Sequence, residues 1–148
     1  MEWNAYLYGF AEHAAKKSKD STQVGAVLVA PNGRSVLLTA FNGPPPGVLD
    51  LPERRERPLK YKFSAHSERN LIATAARHGI RTEGTTVYCT HRCCSACASE
   101  MVAAGIRAFF YGPGRFGGDD EQWGFASTML GEAGVSYGPI SDAKEFTA

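Results

Sequence analysis

The chain has 148 residues, with 16 lysines and arginines against 15 aspartates and glutamates. That length fits one domain around a single core. The near-balanced charge argues against a groove for a long nucleic acid, which needs a stronger basic bias, and leaves room for a small phosphorylated ligand.

The N-terminal stretch carries Glu2, Glu12, Lys16, Lys17, Lys19 and Asp20 and has no apolar run. Neither a signal peptide nor a membrane span is expected there. Residues 3–17 read as an amphipathic helix, with Tyr6, Phe10, His13 and Ala14 on one side. Ser18 to Thr22 then supplies capping and turn residues. Val24 to Val29 is a short apolar run suited to a buried strand. Pro31-Asn32-Gly33-Arg34 reads as a hairpin turn, since Asn-Gly tolerates positive φ, and Ser35 to Phe41 returns as the paired strand.

Pro44-Pro45-Pro46 ends regular structure. Val48 to Ser64 reads as a long loop with Arg54, Arg55, Arg57, Lys60 and Lys62 among Glu53 and Glu56. Such a loop is either a solvated surface or a functional insert. His66 to His78 is the second helix, ended by Gly79, and Thr85 to Thr90 a strand of β-branched and aromatic residues. Ser95 to Ala104 is a helix ended by Gly105, and Ile106 to Tyr111 a strand. A Gly-rich loop from Gly112 to Asp119 holds Arg115 and Phe116. Asp120 to Leu130 reads as a last helix and Val135 to Tyr137 as a last strand. This order gives a single α/β domain over residues 1–148 around a mixed sheet.

The four cysteines, Cys89, Cys93, Cys94 and Cys97, fall within nine residues. A disulfide framework spreads its cysteines to close long loops. Clustered thiols without an export signal point instead to a reducing cytoplasm and to metal binding. Cys94-x-x-Cys97 has chelating spacing, and at a helix start the dipole favours thiolates. His66 adds an imidazole from the start of the preceding helix. Three N/S ligands with no obvious fourth make an open, catalytic type of zinc site. Cys93 in place of Cys94 is a poorer match, and His91 as a fourth ligand would close the site. A structural zinc knot or a redox pair would leave Glu68 unexplained.

His66-x-Glu68 with Cys94-x-x-Cys97 is the ligand set and spare acid of the zinc-dependent deaminases. In that chemistry Glu68 takes the proton of the attacking water and delivers protons to N3 and to the leaving amine of the pyrimidine.

Nearly the whole chain resembles the deoxycytidylate (dCMP) deaminase family. Ser18-Lys19-Asp20 through Val24-Gly25-Ala26 is similar to the family's SKD…VGA segment, and Phe41-Asn42-Gly43 through Gly47 to its GYNG-x-P-x-G loop. Lys60-Tyr61 before His66, Val87-Tyr88-Cys89-Thr90 and Ala104-Gly105-Ile106 keep the family's order. The resemblance implies a cytidine-deaminase-like three-layer fold: a mixed five-stranded sheet with helices on both faces. It also implies zinc as cofactor and dUMP as a product that feeds thymidylate synthesis. It implies that Asn42 contacts sugar or base, that the backbone near Arg92 accepts a hydrogen bond from the exocyclic amine, and that the Ser67 N–H serves the pyrimidine carbonyl.

Lys19, Arg115 and Arg55 are the phosphate candidates, since a dianion needs one or two cations. Tyr88 and Phe116 are candidates for walling the base or sugar, or are core packing. Arg77 is out of phase with Glu68 on the same helix and belongs to an interface, an effector site or solvent; Arg55 shares the effector option. The family implies a homo-oligomer, hexamer or dimer, with dCTP and dTTP as effectors. Ser67 replaces the family's alanine and Cys93 its proline, departures that would fit a bacteriophage enzyme working in a host cytoplasm. Deaminases of dCTP, cytidine or a 5-substituted dCMP remain competing readings, as does a non-catalytic zinc-stabilised binding module. A tRNA adenosine deaminase fits the two N-terminal segments poorly.

Overall fold

A computed structural model of the chain describes residues 1–143; of the expected domain over 1–148, residues 144–148 lie outside it. Five strands form one sheet: β1 (Gly25–Val29), β2 (Val36–Phe41), β3 (Thr86–His91), β4 (Ala108–Gly114) and β5 (Ser136–Pro139), in the order β2-β1-β3-β4-β5. β1 is antiparallel to both β2 and β3, whereas β3, β4 and β5 run parallel. The antiparallel pair needs only a short turn. Gly33, at φ 76°, provides it, and the Ala30 N–H closes the hairpin on Ser35 O. The parallel pairs need crossovers, and α4 (Ser95–Ala103) and α5 (Asp119–Glu132) supply them.

The sheet is mixed and five-stranded, with helices on both faces, as the resemblance implied. α1 (Trp3–Ala15) covers one face. Its Leu7 and Ala11 pack with Val27, Val29 and Tyr88. The other face carries α3 (Ser67–Arg77), α4 and α5, through Leu71, Ala75, Ala98, Met101, Ala126 and Leu130 against Ala26, Leu28, Cys89 and Phe109. The alternation of Ala26 and Leu28 with Val27 and Val29 is the two-residue period of a strand buried on both sides. Gly25 sits where α1 crosses β1: a Cβ there would lie 2.0 Å from Ala11 O and 2.5 Å from Ala15 N. Only glycine lets the helix backbone come that close.

The expected long loop contains two short helical pieces, a 3₁₀ turn at Pro52–Arg55 and α2 (Lys60–Phe63). Four-residue elements are too brief to leave a periodic signature. β4 begins later than expected and runs on to Gly114, where the His91 ring lies over the glycine; a Cβ would meet that ring at 2.3–2.5 Å. Among the described residues no helix is long and apolar enough to cross a membrane.

Candidate active site

Two helices start at the same place. His66 is the N-cap residue of α3 and Cys94 the N-cap residue of α4, both with extended backbone. Their positive ends therefore converge beyond the carboxyl end of β3, the usual position for a ligand in an open parallel sheet. His66 Nδ1 lies 3.3 Å from Cys94 Sγ and 3.4 Å from Cys97 Sγ. All three donor atoms fall within 4.8 Å of one another. Zinc bonds of about 2.0–2.1 Å to nitrogen and about 2.3 Å to sulfur in a tetrahedron put N and S about 3.5 Å apart, so the donor set fits that ion.

The Cys94 sulfur also accepts from the Cys97 N–H at 3.5 Å, a thiolate acting as helix cap. Within the cluster the thiol of Cys97, ahead of the imidazole of His66, holds Cys94 down to about 4. The same contact with Cys94 pushes Cys97 up, and His66 is raised first by its bond to Cys94. The protons that tie these groups together are the ones a divalent cation displaces.

The two competing ligands are placed elsewhere. Cys93 is buried in the core, 1 % exposed, where burial raises its thiol. His91 pairs through Nδ1 with Thr90 Oγ1 at 2.8 Å, and burial lowers its pKa. Among the described residues neither joins the converging set, which leaves three protein donors.

Glu68 follows one residue inside α3 and is 3 % exposed. Its carboxylate accepts from the Ser67 hydroxyl at 2.5 Å and from the Cys89 thiol at 3.2 Å. A buried carboxylate beside three metal donors is placed to move protons. Cys89 was not among the residues singled out from the sequence. The available signal was a fourth cysteine outside the chelating spacing.

The other expected residues divide. Tyr88 does not wall the site: it faces α1 with Leu7 and Val27, on the opposite side of β3 from Cys89. Strand alternation turns successive side chains to opposite faces, and this corrects the expectation. Asn42 is 9 % exposed, and its amide is engaged by backbone, accepting from Val24 N–H at 2.9 Å and donating to Thr22 O at 2.8 Å. Ser18 Oγ bonds Asn42 O at 2.9 Å, and Asp20 Oδ1 accepts from Thr22 N–H and from Lys60 Nζ, both at 2.9 Å. The SKD and FNG segments are thus physically one unit, with Lys60 tied to it.

The Arg92 side chain pairs with Asp119 and Asp120 and lies over Trp123, 5.6 Å from the ring centroid. The buried Asp119 was also absent from the sequence expectations; its partner lies too far along the chain for local spacing to reveal it. Arg115 is exposed and donates to Gly112 O and Gly114 O. Phe116 is half-buried in the loop that follows β4. Arg77 is exposed at the end of α3 opposite Glu68. Lys19 and Arg55 line a single cavity of 650 Å³ together with Ser21, Arg57 and Lys60; Arg55 is also bonded to Asp50 at 2.9 Å.

Comparison with known proteins agrees with this geometry. The model of the "Cytidine and deoxycytidylate deaminase zinc-binding region" matches residues 1–113. An uncharacterized deaminase of Aliivibrio fischeri is 34% identical over 139 residues, covering 90% of each chain. The deoxycytidylate deaminase of Mus musculus is 32% identical over 144 residues, covering 93% of this chain and 79% of the mouse protein. Among solved structures, the dCMP deaminase of cyanophage S-TIM5 in complex with dCMP and dUMP superposes with a TM-score of 0.72 at 25% identity, over 91% of this chain and 93% of that one.

Proposed function

The chain belongs to the cytidine and deoxycytidylate deaminase family, and from that premise we propose that it hydrolyses dCMP to dUMP and ammonia. The observation that carries the reading is the meeting of His66 Nδ1 and the Cys94 and Cys97 sulfurs at two helix starts, with the buried Glu68 carboxylate one residue inside α3. Substrate identity is supported by the relatives that are deoxycytidylate deaminases and by the dCMP and dUMP in the cyanophage enzyme.

Zinc would be held by His66, Cys94 and Cys97 and would supply Lewis acidity for activating water. The rest falls to side chains. Glu68 takes a proton from the attacking water as the oxygen–C4 bond forms and gives it to N3. It then takes the second proton of that same water, now a hydroxyl on C4, and carries it to the exocyclic nitrogen as the C4–N bond breaks, the C4 carbonyl forms and ammonia leaves. The Ser67 N–H, which as a first-turn donor has no intrahelical partner, serves the pyrimidine carbonyl, and the backbone at Arg92 accepts from the exocyclic amine. Asn42 braces the segment that borders the sugar.

Arg115 and Lys19 serve the substrate phosphate. Arg55, with Arg57 beside it, takes the phosphates of a regulatory dCTP or dTTP, and Arg77 belongs to a subunit contact. The enzyme works as a homo-oligomer, hexamer or dimer, in the cytoplasm, and its dUMP feeds thymidylate synthesis.

The test is turnover by zinc-loaded protein on dCMP, dCTP, cytidine and 5-methyl-dCMP, each with and without added dCTP or dTTP, followed by loss of cytosine absorbance. Turnover on dCMP far above cytidine is expected. A preference for dCTP or for the 5-methyl nucleotide would move the substrate assignment. Silence on all four with zinc bound would favour a non-catalytic module.

A further inference from the structure

The Glu68 carboxylate is held by two donors from different elements. Ser67, the first residue of α3, donates its hydroxyl to Oε1 at 2.5 Å. Cys89, on the central strand β3, reaches the same oxygen with its thiol at 3.2 Å. The two donors are themselves 3.6 Å apart, so the three side chains close a triangle. All are buried: Ser67 and Cys89 are 0 % exposed and Glu68 3 %. Among the described residues both hydrogen bonds to the carboxylate end on Oε1 and none on Oε2.

A buried cysteine is most often a small hydrophobe. Direction separates Cys89 from that description, because its sulfur points at the carboxylate oxygen. Burial, and then the charge of Glu68, push this thiol well up, so it stays an S–H donor. Its backbone is fixed from both sides, opposite Ala26 of β1 and Tyr111 of β4. The anchor therefore belongs to the sheet and not to the helix that carries Glu68. A carboxylate held from two elements cannot swing with one rotamer, and small displacements of a proton carrier are costly in rate.

We propose that Ser67 and Cys89 are positioning residues that pin Oε1 of Glu68, so that Oε2 is the oxygen that carries protons between water and the pyrimidine. The proton's destination rests on the deaminase reading; the triangle does not.

Two measurements test it. In zinc-loaded protein the two thiols outside the ligand set are Cys89 and Cys93, and their S–H stretching bands lie in a clear window of the infrared spectrum. Cys93→Ala assigns the bands. The Cys89 band is expected at lower frequency than that of Cys93 and should rise in Glu68→Ala. A Cys89 band that does not move overturns the proposal whatever the turnover. In kinetics, Cys89→Ala and Ser67→Ala should each lower kcat about ten-fold with KM within about two-fold and about one zinc per chain. Cys89→Ser, which keeps a donor, should restore most of the rate, and Cys89→Val should not. Parental kcat in Cys89→Ala and Cys89→Val with zinc bound overturns the proposal. Parent protein without any deamination would defeat the deaminase reading, and with it the proton role, before a variant is made; the infrared band would still judge the contact.

Discussion

Across β3 the two faces of the sheet carry different interiors. Tyr88 looks into an apolar layer under α1, with Leu7, Ala11, Val27 and Val29. Cys89, one residue on, looks into a layer where Ser67, Glu68, Cys94 and Cys97 are buried together. The first face stabilises by excluding water, and any apolar group of the right volume would do. The second buries polar and ionisable groups, which is tolerable only because each has a partner. The α1 face serves the fold and holds none of the metal donors, whereas the other face carries both the larger apolar core and the site, so the α1 face can be broken apart from the chemistry.

The largest effect should come from the polar face. Cys97→Ala removes one of three metal donors, so zinc per chain should fall below about a tenth, turnover should vanish, and thermal stability should drop. Elemental analysis, the activity assay and a melting curve read the three. Leu7→Ala on the apolar face should cost about 2–5 kcal/mol in denaturant unfolding, while zinc per folded chain and kcat stay at parental values. If Leu7→Ala lost metal in step with stability, the faces would not be separable.

Tyr8 of α1 sharpens the contrast through pH. Burial first, and then Glu12, push its phenol from 10.0 up to about 12. A raised folded-state pKa means that its contribution is complete below the unfolded value and is lost as pH rises through the folded one. The stability advantage of the parent over Tyr8→Phe should therefore shrink between about pH 9 and about pH 12 in urea titrations. The smallest effect belongs to a pair on neither interior. Arg69 meets Glu100 at 3.1 Å with its side chain 57% exposed. Arg69→Ala should change stability by less than about 0.5 kcal/mol in the same titrations.

The same contrast explains what was legible in the sequence. The metal donors could be read because zinc dictates residue type and spacing: a chelating cysteine pair at a helix start, and a histidine two residues before an acid. The strands could be read from β-branched runs and turn residues. The side to which Tyr88 points could not. β3 is buried on both faces, so it lacks the polar–apolar alternation that reveals parity. Its aromatic ring suits a base-binding wall as well as it suits a core. Arg92 was legible as a neighbour of the cysteines, but its side chain is claimed by Asp119 and Asp120 at the start of α5, partners set by tertiary packing. The short helical pieces at Pro52–Arg55 and Lys60–Phe63 were hidden by length. The unity of Ser18, Asp20, Asn42 and Lys60 emerges only from their hydrogen bonds.

The central claim is that Glu68 moves the protons of a zinc-dependent deamination. It is met most directly by comparing parent and Glu68→Gln on dCMP, with zinc measured in both. Gln keeps the shape of Glu68 and removes its proton chemistry. The expected result is about one zinc per chain in each protein and a kcat for the variant at least about a thousand-fold lower. A zinc-loaded Glu68→Gln protein that deaminates dCMP at the parental rate would contradict the mechanism.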